Sequence, residues 1–321
     1  MAIRPDLAEA TAGDLEAAPP SRRRGWLRQV LAESRQAKIG LAVLLFFVAI
    51  AILAPWIEPY DIHKQVGPVY GHPSLRHPLG LDDGGVDMVS LLIQGGRISL
   101  IVGSAATLVA MVLGGGIGIV AGYFGGWVDA VLMRITDYFI VIPDLPLAII
   151  VAAVWGQSLS HLIFVIALLL WTTTARVIRA QVKSVRERVY VKRARSLGAS
   201  DLRIILRHVL PQIGPLLIAN TVLTVAVAIF DETALSFLGL GDPTAITWGH
   251  IIEIAFLRTA ISSGAWWAVV PAGLCVALLI MGCFWFGQAI EDALNPRLQV
   301  SHLSPRLFRL RPLPIRETRA S

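Results

Sequence analysis

Acidic side chains stand inside long apolar runs at three positions of this chain. Asp144 lies in one run, and Asp231 and Glu232 lie together in another. An ionised carboxylate at the centre of a bilayer costs roughly 3 kcal/mol or more, so such a group should face a cavity or a partner. We expect these three carboxylates to line a translocation path and to favour a solute with a cationic end. The alternative is a structural role, in which they bond the helix backbone or a neighbouring subunit.

A basic segment broken by one glycine covers residues 185–211, and its most patterned part begins at Tyr190. Helix formers fill residues 185–197. Gly198 suits the position just after a helix, where the left-handed conformation is common. We therefore expect the backbone to bend sharply at Gly198 and Ala199.

A second short helix is predicted over residues 201–210. Ser200 is a suitable N-cap, Asp201 suits the positive end of that helix, and Pro211 should close it. Two short helices joined at a bend can insert sideways into a cleft on a partner and move the adjoining membrane helices as a rigid body. The alternative is a basic loop that rests on anionic lipid headgroups.

Enzyme motifs are missing from the sequence. It contains no H-E-x-x-H and no G-x-S-x-G, and its histidines at 161, 208 and 250 are scattered. It also contains no G-x-x-x-x-G-K-[ST] phosphate loop, so any ATP chemistry must come from another chain. We expect a non-catalytic subunit with no cofactor or metal of its own.

The composition is that of a membrane protein. Of 321 residues, 55% are hydrophobic and 16% are charged, whereas a soluble domain is about one quarter charged. Six apolar segments have about the twenty residues that a helix needs to cross a bilayer. Their predicted bounds are 38–57, 99–123, 131–155, 161–178, 213–238 and 266–289. The predicted fold is an all-α integral membrane protein with six transmembrane helices and a coupling helix between the fourth and fifth.

The distribution of basic residues predicts the orientation. The two tails with the adjoining Lys38, and the loops 124–134 and 176–210, contain 24 of the 28 Lys and Arg residues. The opposite loops, 58–98 and 239–265, contain the other four. Because loops rich in Lys and Arg stay in the cytoplasm, both termini and the basic segment are expected there. This asymmetry explains the net charge of +6 without nucleic acid.

Small residues recur at every fourth position of the second predicted span. Such a stripe forms a smooth helix face on which another helix can approach closely. The positions are Ala106, Ala110, Gly114, Gly118 and Gly122. The sequence predicts three regions: a cytoplasmic tail over 1–37 with an interfacial helix, a six-helix transmembrane domain over 38–295, and a disordered basic tail over 296–321 that lies near anionic lipid.

The basic segment resembles the coupling loop of permease subunits in bacterial binding-protein-dependent ABC importers. In the dipeptide, oligopeptide and nickel permeases, that loop is close to Y-V-x-A-A-R-x-L-G-A-S followed by R-H-x-L-P. Twelve residues match: Tyr190, Val191, Ala194, Arg195, Leu197, Gly198, Ala199, Ser200, Arg207, His208, Leu210 and Pro211. Further likenesses are H-P-L-G at 77–80, G-Y-F-G-G-W-V-D at 122–129, L-S-F-L-G-L-G at 235–241 and D-A-L-N-P-R at 292–297.

The chain departs from the family pattern at four positions. Lys192 and Arg193 replace the first two letters of the loop's E-A-A motif, and we expect Arg193 to face an acidic residue of the partner. Val86 and Leu91 replace arginines of the first outer loop, so contacts of those arginines cannot be carried over.

The resemblance implies that Tyr190, Arg193 and the matched residues from 194 to 200 contact an ATPase subunit. It implies four kinds of partner: a second homologous permease, two ATPases that bind ATP and magnesium, an extracytoplasmic substrate-binding protein and membrane lipid. It also implies alternating access in a bacterial plasma membrane, with peptides or nickel chelates as cargo. A self-sufficient secondary transporter is the alternative, although paired broken helices are not evident in the sequence.

Overall fold

The helices of this chain are described by a computed structural model over residues 30–32 and 34–294. Most of the predicted tail 1–37 and all of the tail 296–321 lie outside these residues. In chain order the main helices are α1 (Arg35–Ile57), α2 (Met88–Phe124), α3 (Gly126–Val141), α4 (Asp144–Trp155), α5 (Leu159–Arg186), α6 (Val189–Ser196), α7 (Asp201–Ile204), α8 (Leu210–Phe237), α9 (Trp248–Leu257) and α10 (Val270–Leu294).

The described residues form an all-helical bundle, as predicted. Five helices are long and apolar enough to cross a membrane, and the number is six if the bent pair α3 and α4 is one span. No β-strand occurs in the described part of the chain, where a single bridge joins Leu81 to Asp87. Below, the loop end of the bundle is the end next to residues 187–209, and the opposite end is next to residues 58–87.

The third predicted span, 131–155, is interrupted in the structure. It begins earlier, at Gly126, and breaks after Val141, and the axes of its two halves differ by 89°. Pro143 causes the break, because a residue before proline is forced out of the α conformation, and Ile142 has ψ 124°. Pro146 lies in the first turn of α4, where no backbone N–H is needed.

Two other spans are longer than predicted. Helix α2 begins eleven positions before residue 99, because the buried Asp87 carboxylate accepts a hydrogen bond from the Ser90 N–H at 3.0 Å and caps it. Helix α5 runs beyond residue 178 to Arg186, because Val182 and Val185 continue its buried face.

Helix α2 is the central element of the bundle and packs against α5, α8 and α1. Small residues make the closest of these approaches possible. All five residues of the predicted stripe are buried. A Cβ atom added to Gly114 would lie 2.2 Å from the Trp171 carbonyl oxygen, and one added to Gly118 would lie 2.6 Å from that of Ala175. The backbones of α2 and α5 are therefore in direct contact, as close helix packing in lipid requires.

Candidate partner-binding loop

The bend at Gly198 is a complete Schellman motif. Gly198 has φ +80°, and its N–H donates to the Arg195 carbonyl at 3.0 Å. The Ala199 N–H donates to the Ala194 carbonyl at 3.1 Å, which closes the larger ring of the motif. The predicted single helix over 185–197 is wrong in one respect. Helix α5 ends at Arg186, and α6 is a separate helix that begins at Val189, after two intervening residues.

The segment after the bend differs more from the prediction. Ser200 occupies the N-cap position of α7, but its side chain makes no capping hydrogen bond. Pro211 does not close the second helix. A π turn, Ile205–Val209, joins α7 to α8, and the Leu210 N–H donates to the Ile205 carbonyl. A π turn widens the backbone, so the proline ring fits at the start of α8 without ending the helix.

Both sides of the bend are anchored in one apolar cluster at the loop end of the bundle. Val191 of α6 and Ile204 of α7 are fully buried there. They pack with Ile178 and Val182 of α5, and Ala194 and Ala199 are partly buried against the same cluster. This burial holds α6 against the bundle rather than leaving it as a free loop.

Tyr123, near the end of α2, contacts residues before and after the bend. Its hydroxyl donates to the Asp201 carboxylate at 2.6 Å, and the Arg195 guanidinium lies over its ring at 5.3 Å from the centroid. Its carbonyl oxygen accepts a hydrogen bond from Arg186 Nη1 at 3.0 Å. Only 1% of the tyrosine is exposed, whereas Arg195 and Asp201 lie at the surface. Sequence reasoning matched the G-Y-F-G-G motif to the family but assigned Tyr123 no role.

The outer surface of the loop is apolar and basic. Leu197 is 87% exposed, and four further large apolar side chains are exposed around it: Val189, Tyr190, Leu202 and Leu206. Arg193, Arg195 and Ser200 are also exposed. A cluster of exposed apolar side chains beside cationic ones is typical of a protein-binding surface.

Two of the loop's departures from the family pattern have different environments. Lys192 forms an ion pair with Glu187 at 2.9 Å. This hydrogen bond, with a second from Arg186, lowers the pKa of the Glu187 carboxyl. Arg193 forms no ion pair among the described residues and is exposed beside Leu197. The charge of Lys192 is therefore matched within the chain, whereas that of Arg193 is presented outward.

Glu232, one of the three carboxylates expected to line a path, lies in a buried hydrogen-bond network. It is fully buried between α8 and α2, where its carboxylate accepts hydrogen bonds from the Ser99 and Ser236 hydroxyls, each at 2.9 Å. The Ser99 hydroxyl oxygen also accepts from the Trp248 backbone N–H at 3.2 Å. Three helices thus meet at one carboxylate, which stabilises the fold.

Replacement of Glu232 should distinguish this structural role from a transport role. Glu232→Leu leaves the two serine hydroxyls without their buried acceptor, and we expect the unfolding free energy to fall by about 2 kcal/mol. Glu232→Gln keeps an acceptor oxygen and should retain most of the stability. Thermal unfolding in detergent measures both variants. Equal stability of the leucine variant and the wild type would contradict the structural role.

The other two carboxylates have less defined settings. Asp231 is half-buried on α8. Asp144 begins α4, and its side chain lies outside the described part of the structure.

A cavity of about 430 Å³ lies close to α4, between α3, α5, α8 and α10. Its walls are mostly apolar, with the hydroxyls of Thr172, Thr173 and Thr224 as polar groups.

The H-P-L-G motif at the opposite end fixes the first loop to the bundle. His77 Nδ1 lies 2.8 Å from a carboxylate oxygen of Asp87, the residue that caps α2. A Cβ added to Gly80 would lie 2.7 Å from the Trp267 ring, whose Nε1 donates to the Leu81 carbonyl at 3.2 Å. The motif was matched to the family from sequence, but this histidine–aspartate contact was missed.

The two replaced arginines of this loop are explained by burial. Leu91 is only 6% exposed in the apolar cluster of the opposite end, and Val86 packs against the same cluster. An arginine at position 91 would place its charge in that cluster, so the apolar residues suit this chain.

Comparisons with known proteins agree with this geometry. Residues 114–299 match the family described as "Binding-protein-dependent transport system inner membrane component". Residues 26–72 match the "N-terminal TM domain of oligopeptide transport permease C".

Individual relatives cover most of the chain. It is 33% identical over 272 residues to the dipeptide transport system permease protein DppC of Alkalihalophilus pseudofirmus, covering 84% of this chain and 88% of that protein. It is 33% identical over 279 residues to the glutathione transport system permease protein GsiD of Pectobacterium atrosepticum, covering 86% and 91%.

A solved structure has a similar fold. A chain of the inward-facing methionine ABC transporter MetNI matches with a TM-score of 0.50 and 18% identity, over 64% of this chain and 97% of that one. The chain therefore belongs to the inner membrane components of binding-protein-dependent transport systems and is a permease subunit of an ABC importer.

Proposed function

We propose that this permease imports short peptides and that residues 187–209 receive an ATPase subunit. The observation that carries the proposal is the exposed apolar and basic surface around Leu197, held on a helix that is anchored in the bundle by Val191 and Ile204. A mobile tether would absorb a partner's movement. An anchored helix transmits that movement to α5 and α8, the two helices that the loop connects.

The proposed assembly contains four kinds of partner around this chain. They are a second, similar permease, two ATPases that hold ATP and magnesium, a substrate-binding protein on the outer side, and membrane lipid. The chain itself has a non-catalytic role. ATP binding draws the loops of the two permeases together and opens the path outward, and hydrolysis resets the path inward.

The proposed location is a bacterial plasma membrane, with both termini in the cytoplasm. The strong bias of Lys and Arg toward the tails and the loop end supports this orientation. The exposed Arg193 then faces the cytoplasm, where an acidic group of the ATPase can pair with it.

Peptides are the proposed cargo because relatives with most of this chain's length are named for dipeptides and glutathione. The threonine-bearing cavity of about 430 Å³ gives a peptide a mostly apolar passage with a few hydroxyl groups. Passage without tight binding suits a transporter, because a solute that binds strongly leaves slowly.

We propose that Asp144 and Asp231 attract the cationic amino terminus of a peptide, and uptake of modified peptides tests this role. Loss of either negative charge, in Asp144→Asn or Asp231→Asn, should reduce uptake of peptides with a free amino terminus several-fold more than uptake of N-acetylated peptides. Radiolabelled uptake of matched peptide pairs measures the effect. The same uptake and preference as wild type in both variants would remove these residues from the path.

Co-purification tests the proposed assembly. The chain is extracted from native membranes in mild detergent, and the bound proteins are identified by mass spectrometry. A second permease, an ATPase and a peptide-binding protein are the expected partners. Recovery of the chain alone or only as a homodimer would contradict the proposal.

A further inference from the structure

We infer that Tyr123 is a positioning residue that ties the partner-binding loop to α2 and so carries the ATPase movement across the membrane. This inference rests on the proposed function. The contacts of Tyr123 bracket the bend, because Arg195 lies three residues before Gly198 and Asp201 lies three residues after it. One buried side chain thus fixes two short helices to the end of a third.

The movement reaches α2 through contacts between side chains, because α2 is not adjacent to the loop in sequence. Helices α5 and α8 are joined to the loop by the chain itself. Helix α2 is distant in sequence, packs along α5, and meets the loop through the side-chain contacts of Tyr123. Tyr123 provides the hydroxyl that meets Asp201 and the ring that supports Arg195. Without the hydroxyl, the short helix α7 can shift while α2 remains in place.

Helix α2 is suited to carry such a movement to the opposite end. It has 37 residues and no proline, and is therefore about 55 Å long. Near its far end, Ser99 contacts Glu232 of α8 and the start of α9, and Asp87 contacts His77 of the first loop. A displacement at Tyr123 can therefore reach the segments at the opposite end of the bundle.

The hydroxyl of Tyr123 can be removed with little change in packing. Tyr123→Phe keeps the ring under Arg195 and deletes the hydrogen bond to Asp201. In proteoliposomes containing the whole transporter, we expect peptide uptake to fall about tenfold, the effect of one charge-assisted hydrogen bond, while ATP hydrolysis is largely kept. The number of ATP molecules hydrolysed per peptide should rise accordingly.

Two further variants make the result specific. Asp201→Asn keeps an acceptor oxygen at the other end of the bond and should give an intermediate rise in ATP used per peptide. The double variant should be no worse than Tyr123→Phe alone, since both changes remove one contact. Tyr138→Phe is the matched control, because Tyr138 is 69% exposed and lies away from the loop.

The possible outcomes separate this inference from the proposed function. A wild-type ratio of ATP to peptide in Tyr123→Phe would overturn the inference while leaving the importer intact. Loss of assembled transporter in both Tyr123→Phe and Asp201→Asn, with an unchanged ratio in what remains, would assign Tyr123 a purely structural role and also overturn it. Absence of ATP-driven uptake by the wild-type transporter would instead contradict the proposed function.

Discussion

Replacement of Gly198 by valine should strongly reduce ATP-driven uptake while the subunit still folds and inserts into the membrane. Gly198 has φ +80°, and a β-branched residue there costs about 1–3 kcal/mol, so the backbone will adopt another conformation. That change alters the angle between α6 and α7 and moves the surface around Leu197 away from its partner. We expect uptake to fall by about tenfold or more, since each 1.4 kcal/mol is a factor of ten. Uptake and ATP hydrolysis in proteoliposomes measure the loss.

The chain offers a matched control for backbone strain. Gly264 has φ +78°, and a Cβ there would meet nothing within 4 Å, as at Gly198. It lies at the opposite end of the bundle. Gly264→Val should therefore carry similar strain and leave coupling intact. Gly198→Asn should keep part of the activity, because asparagine tolerates the left-handed conformation. Normal coupled uptake by Gly198→Val would refute the role of the bend.

The largest loss of stability is expected at Gly114. A single added methyl group in Gly114→Ala would lie 2.2 Å from the Trp171 carbonyl oxygen, which belongs to the backbone of α5 and cannot move alone. Helices α2 and α5 must separate, and this overpacking should cost about 2–3 kcal/mol of unfolding free energy. Thermal unfolding in detergent and the yield of assembled transporter measure the effect.

Gly116 provides the control on the same helix. It is exposed, and an added Cβ would meet nothing within 4 Å. Gly116→Ala removes the same glycine flexibility without a clash and should match or slightly exceed wild-type stability. If Gly114→Ala were as stable as Gly116→Ala, the close contact between α2 and α5 would be contradicted.

Sequence patterns predicted the membrane fold because a bilayer leaves few alternatives. A helix satisfies its own backbone hydrogen bonds, so apolar length alone located most spans. The small-residue stripe ending at Gly122 also predicted a close helix contact, since its spacing of four places every glycine on one face. The glycine at 198 predicted the bend for the same local reason.

Features that depend on tertiary contacts were not predictable in this way. Hydropathy cannot show that a π turn accommodates Pro211, so that this proline does not end a helix as Pro143 does. Burial of Glu232 depends on serines of two helices and on the start of α9, which lie far apart in sequence. The sequence identified Tyr123 only as part of the G-Y-F-G-G motif. Its contacts were not predictable, because its partners are about seventy residues away.

Cross-linking from the loop surface tests the central claim most directly. Leu197→Cys, in a chain with Cys275→Ala and Cys283→Ala, places one thiol on the proposed ATPase-binding surface. Leu257→Cys, at a residue that is 65% exposed near the opposite end, is the control. Native membranes are treated with a short reagent that bonds the thiol at one end and, on illumination, any neighbouring residue at the other, and the products are identified by mass spectrometry. A product with the ATPase from position 197, and none from 257, is the predicted result. An ATPase product from position 257, or none from 197 in a transporter that still imports, would contradict the assignment of residues 187–209.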